Sequence, residues 1–490
     1  MNFEILSHAS IHIAHRGKSV LIDPWLRGSA YWRSWWNFPP VDIARVENLN
    51  PDFIYLTHIH WDHFHGPSLR AFRRNTPILI TTDRYTRMRR DLNALGFMNV
   101  IELVHAKPFQ LGEDFSLTPY LFSPLGDSAV VVASSKTTIL NANDCKIVGL
   151  PLKQLLDQHP RIDFALRSHS SANSRALYSR IDGALQPVAD NRQQYLRSFA
   201  NFMAAVKPRY AIPFASNHCH LHRETFQYND AIVSPIEVRD YFAHHSQTHS
   251  LATELVVMLP SSCWDSETGF TLAPLTLFDD RAHSLNALRE SNATLLNETY
   301  RREAKIHVRE DDVKAYFQSV FAHSHWLVRR LFKDCPIFIA TVSRAVIAGE
   351  ADNTNYWRVD VYRREVAACA AKDFAMADAR IEIPAAVFKH AMRANMFGHV
   401  SISKRVKFQA KAHVMKQLQR FELLLCFEES ELIPLRRHLS WRAISSYLPR
   451  WRELVLYLQV VYYRFIRGVS FQDIEQHLLA KQAGATTRLR

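Results

Sequence analysis

The chain has 490 residues, is 47% hydrophobic and 22% charged, and carries 13 Gly and 21 Pro without a block of either, which excludes collagen-like, low-complexity and wholly disordered chains. Six scattered cysteines without a CxxC pair exclude a disulfide scaffold and a zinc ribbon, and fit a reducing cytoplasm. The net charge is +13, and residues 301–490 hold 32 Lys/Arg against 19 Asp/Glu, so the whole excess lies in that part.

Such an excess points to an acidic partner or an anionic membrane surface. The basic residues are dispersed, with no clustered stripe interleaved with stacking aromatics, which speaks against nucleic acid. The first residues alternate apolar and polar side chains, so no secretory signal is expected. No window reaches the ~18 consecutive apolar residues of a membrane span, so the expectation is a cytoplasmic protein that is soluble or at most peripheral.

Along the chain, short β-like runs fall at 3–6, 10–14, 19–22, 53–57, 77–81, 129–133 and 138–141. Helical patterns lie at 87–95, ended by Gly96, and at 191–206, where Tyr195, Phe199, Phe202 and Val206 recur three or four apart before Pro208. This is an α/β pattern of sheets with outer helices. From about 270 the chain becomes helix-like and charged over 280–332, followed by strand candidates at 336–342, 356–363 and 399–407, with 381–408 reading as strand, helix, strand. The segment 450–467 is a helix candidate, apolar nearly all round with Arg near both ends, which suits either an interfacial or a buried packing helix. The expected organisation is a catalytic domain over 1–270, a helical linker over 271–335 and a basic α+β and helical region over 336–490.

The strongest chemical signal is His58-Ile59-His60-Trp61-Asp62-His63, directly after the apolar run Phe53-Ile54-Tyr55-Leu56. A strand that ends in a loop bearing three imidazoles and a carboxylate can wrap them around one or two cations, because neutral imidazole and carboxylate are ligands of first-row metals. Tyr31, Trp32, Trp35 and Trp36 form an aromatic loop suited to a pocket wall, and Arg27 and Arg33 beside them suit an anionic group.

The His58-x-His60-x-Asp62-His63 motif resembles the metal motif of the metallo-β-lactamase superfamily, which implies an αββα sandwich with the metals at the sheet edges. Ser7-His8-Ala9-Ser10 with Val20-Leu21-Ile22-Asp23-Pro24-Trp25-Leu26 resembles the opening hairpin of its lactonase-like hydrolases, in which the Asp supports the ligands from behind. Over roughly 1–240, Asp23-Pro24-Trp25-Leu26 with Gly28, Ala30, Trp35-Trp36 and Pro39-Pro40, then Ile139-Leu140-Asn141 with Asp144-Cys145, then Pro208-Arg209-Tyr210 with Pro213-Phe214-Ala215, resemble the catalytic domain of the CMP-N-acetylneuraminate hydroxylase family. Carried over, the resemblance implies metal ligands at His58, His60, Asp62 and His63, a bridging carboxylate at Asp144, and a late histidine that closes the site at His222. It implies catalytic roles for Asp62 and His222. His218, His220, His169, Trp35 and Trp36 are weaker candidates for substrate contact.

Two departures bear on the chemistry. The superfamily supplies another histidine before the bridging carboxylate, and Phe122-Ser123-Pro124-Leu125-Gly126-Asp127 has none; Asp127, His105 and His169 are the available substitutes. The hydroxylase family also carries a Rieske domain, which needs a CxH together with a CxxH, a combination this sequence lacks. The expected function is therefore an iron-dependent oxygenase, with one or two irons, that hydroxylates a small or carrier-tethered molecule and takes electrons from a separate donor. The alternative is a zinc-dependent hydrolase of an ester, lactone, amide or phosphodiester, in which Asp62 takes the proton of a metal-activated water.

Overall fold

The computed structural model describes residues 1–122, 126–170, 179–185, 191–249, 252–343, 353–467, 469 and 471–482. Ser123, where the expected histidine is replaced, lies outside them.

Two sheets face each other. The first has eight strands in the order Gly269–Thr271, Cys263–Asp265, Asn2–Ile5, Ile11–His15, Lys18–Ile22, Phe53–Leu56, Ile78–Thr81 and Val100–Leu103. The second has seven, in the order Glu254–Leu255, Tyr210–Phe214, Phe164–Ser168, Thr138–Asn143, Asp127–Ala133, Phe115–Phe122 and Phe109–Gly112. Alternation fixes which face is inner: Phe3 and Ile5, and Ile11 and Ile13, are buried, whereas Asn2 and His12 are not. Between the sheets these side chains meet Leu117, Val130, Val132, Ile139, Phe164, Leu166 and Ile212. Strands covered on both faces, such as Ile78–Thr81, are buried throughout. Helix Arg87–Ala94 places Leu92 on the outer face of the first sheet. Helices Gly149–Gln158, Asn191–Val206 and Pro235–His249 cover the outer face of the second. The result is an αββα sandwich, as the histidine motif predicts.

The strand candidates of the first 150 residues each fall on an observed strand, and the helix at 191–206 has the predicted bounds. The helix-like stretch 280–332 is broken into Arg281–Ser291, Ala293–Ala304, Glu310–His323 and Trp326–Arg330. The segment 399–407 corrects the expectation of a strand. Residues Phe397–Ser403 form a 3-10 helix, Lys404 is left-handed, and the strand is Lys407–Ala410. The Gly398 N–H donates to both carboxylate oxygens of Glu429 at 3.0 and 2.9 Å, and Ser403 Oγ donates to Val400 O, which captures the backbone before it can pair as a strand.

A third sheet runs Ala184–Leu185, Ser179–Ile181, Lys407–Ala410, Ala379–Pro384, Ile337–Ser343, Asn353–Asp360 and Glu365–Ala368. Ser179–Ile181 thus leaves the sandwich half to join the C-terminal sheet. In return, Leu456, Val460, Ile474 and Leu479 complete the outer layer of the second sandwich sheet. Arg167, on strand Phe164–Ser168, is fully buried against Glu475 of helix Phe471–Gln482, and Ser198 Oγ donates to the same carboxylate at 2.8 Å. Among the described residues, no helix is long and apolar enough to cross a membrane.

Removing one partner of a buried ion pair leaves an uncompensated charge, so Glu475→Ala should destabilise the chain by about 3–5 kcal/mol, read as a lowered urea midpoint. Replacing the exposed Glu298 in the same way should shift that midpoint little.

Candidate metal centre

The site lies at the carboxyl ends of parallel strands from both sandwich sheets. His8 follows Asn2–Ile5, Asp23 follows Lys18–Ile22, the histidine motif follows Phe53–Leu56, and Asp144 follows Thr138–Asn143. Asp23 and Asn143 bend their strands out with left-handed backbone, φ 50° and 43°, a conformation that Asp and Asn tolerate better than most residues.

Two groups of donors form there, His58, His60 and Asp144, and His8, Asp62 and His63, with the ligand atoms of each group within 4.8 Å of one another. In the first, His58 Nε2 is 2.8 Å from His60 Nδ1. In the second, Asp62 Oδ2 is 3.2 Å from His8 Nε2 and 3.4 Å from His63 Nε2. Asp144 lies between them: Oδ2 is 3.6 Å from His58 Nε2 and Oδ1 is 3.6 Å from His63 Nε2. A carboxylate so placed can face two cations at once.

The protons can be placed by hydrogen-bond logic. Asp23 accepts from Thr57 N at 2.9 Å, from Thr57 Oγ1 at 2.7 Å and from His63 Nδ1 at 2.7 Å. His63 therefore carries hydrogen on Nδ1 and turns Nε2 to the site; against the opposing effect of burial, the carboxylates of Asp144, Asp62 and Asp23 raise its pKa well above the ordinary value, so a cation bound there would take the place of the Nε2 proton. Thr57 Oγ1 gives its one proton to Asp23 and so accepts from His58 Nδ1 at 3.0 Å, which frees His58 Nε2 in the same way. Tyr31 Oη donates to Asp62 Oδ1 at 2.6 Å and leaves Oδ2 facing His8 and His63.

Burial opposes charge on Asp62 and Asp144, yet the facing histidines hold both below the usual carboxylate range. Burial, with His58 and His399 nearby, pushes His60 well down, so that ring is neutral. His8 Nε2, His63 Nε2 and Asp144 Oδ1 are buried and make no well-aligned hydrogen bond among the described residues; they face only one another and the Asp62 carboxylate. A cation between them would satisfy all three. Four imidazoles and two carboxylates, without a thiolate, suit iron or zinc.

The remaining candidates are placed differently. His222 belongs to neither group: its Nδ1 and Nε2 lie 3.8 Å from Glu224 and Glu303, the two carboxylates that clasp Arg405, and Tyr300 stands edge-on to its ring. The chain leaves strand His218–His220 before reaching it. His218 stacks face to face on Trp35 at 3.7 Å and lies 5.4 Å from the His8 ring. His169 is buried, and burial together with His8 pushes its pKa down to about 3. Neither belongs to the two donor groups. His220 turns to Ser34, on the edge of Trp35. Trp36 packs in a core with Phe38, Leu221 and Leu285. His105 is drawn towards Glu453, and Asp127 is in neither group.

Two contributors escaped the sequence reading. His8 was visible in Ser7-His8-Ala9-Ser10, where an imidazole between small polar residues just after a strand is the available signal. His399 comes from the C-terminal half: its Nδ1 is 3.2 Å from Glu429 Oε2 and its ring is 5.3 Å from that of His60. Nothing local to it marks such a role.

Residues 2–147 match the family described as the beta-lactamase superfamily domain, and all six donors of the two groups lie inside that segment. With the sandwich around it, this is a metallo-β-lactamase-fold protein. Its similar relatives include a Mycobacterium tuberculosis protein named as a Rieske 2Fe-2S iron-sulfur protein, 28% identical over 56% of this chain and 55% of that one. The cytidine monophosphate-N-acetylneuraminic acid hydroxylase of Mus musculus is 31% identical over 29% of this chain and 26% of its own length. The chain thus spans about half the length of the mycobacterial relative. Among solved structures, an isothiocyanate hydrolase from Delia radicum gut bacteria is 15% identical and covers 54% of this chain and 99% of its own, with a TM-score of 0.38.

Elemental analysis should show at least one equivalent of metal lost in Asp144→Ala and in His8→Ala, with the larger loss in Asp144→Ala because that carboxylate faces both groups. Asp23→Asn touches no donor position but unsettles the His63 tautomer, and competition with a chelator should show metal held about 10–100-fold more weakly.

Proposed function

We propose that this chain is an iron-dependent oxygenase that hydroxylates a small or carrier-tethered anionic molecule. The observation that carries the reading is the paired donor arrangement, two groups of three facing a single carboxylate, Asp144. The names of the mycobacterial and murine relatives, an iron–sulfur protein and a hydroxylase, support iron and hydroxylation over zinc and hydrolysis. Bound in these groups, iron would supply the redox chemistry that couples reduction of dioxygen to insertion of one oxygen atom into a C–H bond, with water as the second product. Two electrons and two protons are needed for that balance, and residues 1–490 hold no CxH paired with a CxxH, so the reading requires a reductant outside these residues.

The chain's own residues define what can enter. A cavity of about 800 Å³ opens beside Tyr31 and Trp61, the residues next to Asp62, and Trp32 adds a further aromatic wall. Arg33, Arg70, Arg302 and Arg393 also line it. Burial and the neighbouring Arg302 both lower the Arg33 pKa, as expected of like charges gathered without enough counter-charge. The carboxylates at the rim are already engaged, Asp91 by Arg87 and Glu303 by Arg405. An anionic group on the substrate would complete this balance, and the stacked pair Tyr31 and Trp61 suits a flat or ring-bearing body. Tyr31 holds Asp62 in one orientation, and Glu429 does the same for His399 beside His60.

The donor set also serves zinc, and Asp62, kept ionised, could take the proton of an attacking water. Elemental analysis of protein expressed with iron and zinc both supplied, followed by oxygen uptake of the reduced form, separates the two. One or two irons per chain with oxygen consumed supports the oxygenase. Zinc without oxygen consumption overturns it in favour of the hydrolase.

A further inference from the structure

We propose that the consecutive helices Trp441–Tyr447 and Trp451–Val461 dock this chain on the surface of an anionic phospholipid membrane. The second helix buries Glu453, Leu456 and Val460 on one side, where Leu456 packs against the start of helix Gly149–Gln158 at Gly149. Its other side shows Trp451, Val455, Leu458 and Tyr462, spaced four, three and four residues apart, a single stripe that is apolar where a surface helix normally carries polar residues. Trp441 and Ile444 on the helix before it, and Leu448 in the turn between the two, are exposed as well. Trp441 is 79%, Leu448 68%, Trp451 59% and Leu458 69% exposed, far more apolar surface than two short helices normally leave to water.

The segment that carries it is strongly basic. Residues 432–467 contain seven Arg and a single acidic side chain, Glu453, which is buried on Arg450. Arg436, Arg437 and Arg452 are exposed, and Arg452 lies 5.5 Å over the Trp451 ring. Apolar side chains led by tryptophan, with exposed arginine beside them and no exposed acid within residues 432–467, match the boundary between acyl chains and anionic headgroups. The helix Trp451–Val461 has 11 residues, too few to span a bilayer, so it would lie in the plane of the surface. Lipid phosphate supplies the counter-charge and the acyl boundary covers the stripe.

Co-sedimentation of the full chain with vesicles tests this. The chain should pellet with phosphatidylcholine vesicles containing about 30% phosphatidylserine and far less with phosphatidylcholine alone, and added salt should release it. Trp451→Glu with Leu458→Glu should lower the bound fraction at least ~10-fold. Replacing Arg436, Arg437 and Arg452 by Gln should weaken binding about fivefold per charge. Metal content, which reads the other site, should match the parent in every variant. Quenching of the parent's tryptophan emission by brominated lipid needs no variant and should be seen. The proposal is overturned if the parent does not pellet with anionic vesicles or if the double Glu variant pellets equally. It is also overturned if the parent is a dimer that the double Glu variant dissolves, because a second copy would then cover the stripe.

Discussion

The Asp23 carboxylate is the fixed point of this site. Fully buried, it takes two hydrogen bonds from Thr57 and one from His63, and so sets the tautomers of His58 and His63. Thr57 passes the constraint across the sandwich: its carbonyl accepts from Ser128 Oγ at 2.7 Å, and the Ser128 carbonyl accepts from Asn143 Nδ2 at 3.0 Å. Asn143 Oδ1 in turn accepts from the Asp144 N–H at 2.7 Å. One chain of hydrogen bonds therefore fixes the carboxylate of the second sheet against the histidines of the first. In a low-dielectric interior such a network is costly to break and holds its members in one arrangement.

The C-terminal half closes over that frame. Trp35 Nε1 donates to Ile402 O, Ser34 Oγ to Ser403 O, and Arg405 reaches Trp32 O as well as Glu224 and Glu303. The 3-10 helix that makes these contacts needs Gly398: a Cβ there would sit 2.5 Å from Cys426 N and 2.9 Å from Glu429. The same close approach gives Glu429 its hold on His399. One buried carboxylate thus shapes the backbone and aims the imidazole.

Much of the sandwich was legible. Runs such as Ile11–His15 and Lys18–Ile22 alternate or fill with β-branched residues, and the helix Asn191–Val206 shows its period and its stop at Pro208. Phe115–Phe122 and Phe164–Ser168 were not read as strands, because Pro119 and Arg167 interrupt their apolar pattern. Arg167 is tolerated there only because Glu475, more than 300 positions away, faces it. The resemblance points to His222 among His218, His220 and His222, and nothing in that spacing, or around His8, tells which histidine the strands carry to Asp62.

By itself the sequence determined the class of site: three imidazoles and a carboxylate within six residues, at the end of a strand, leave little chemistry open besides metal binding. Period-two alternation marked the strands and which of their side chains face inward, while the two-sheet sandwich came from the resemblance of the histidine motif. Tertiary structure decided the rest. Placing His8 against Asp62 and His63, moving His222 to Glu224 and Glu303, and bringing His399 to His60 each depend on contacts between segments far apart in the chain. Such contacts are set by packing and by the cost of burying charge without a partner, and no local pattern records them.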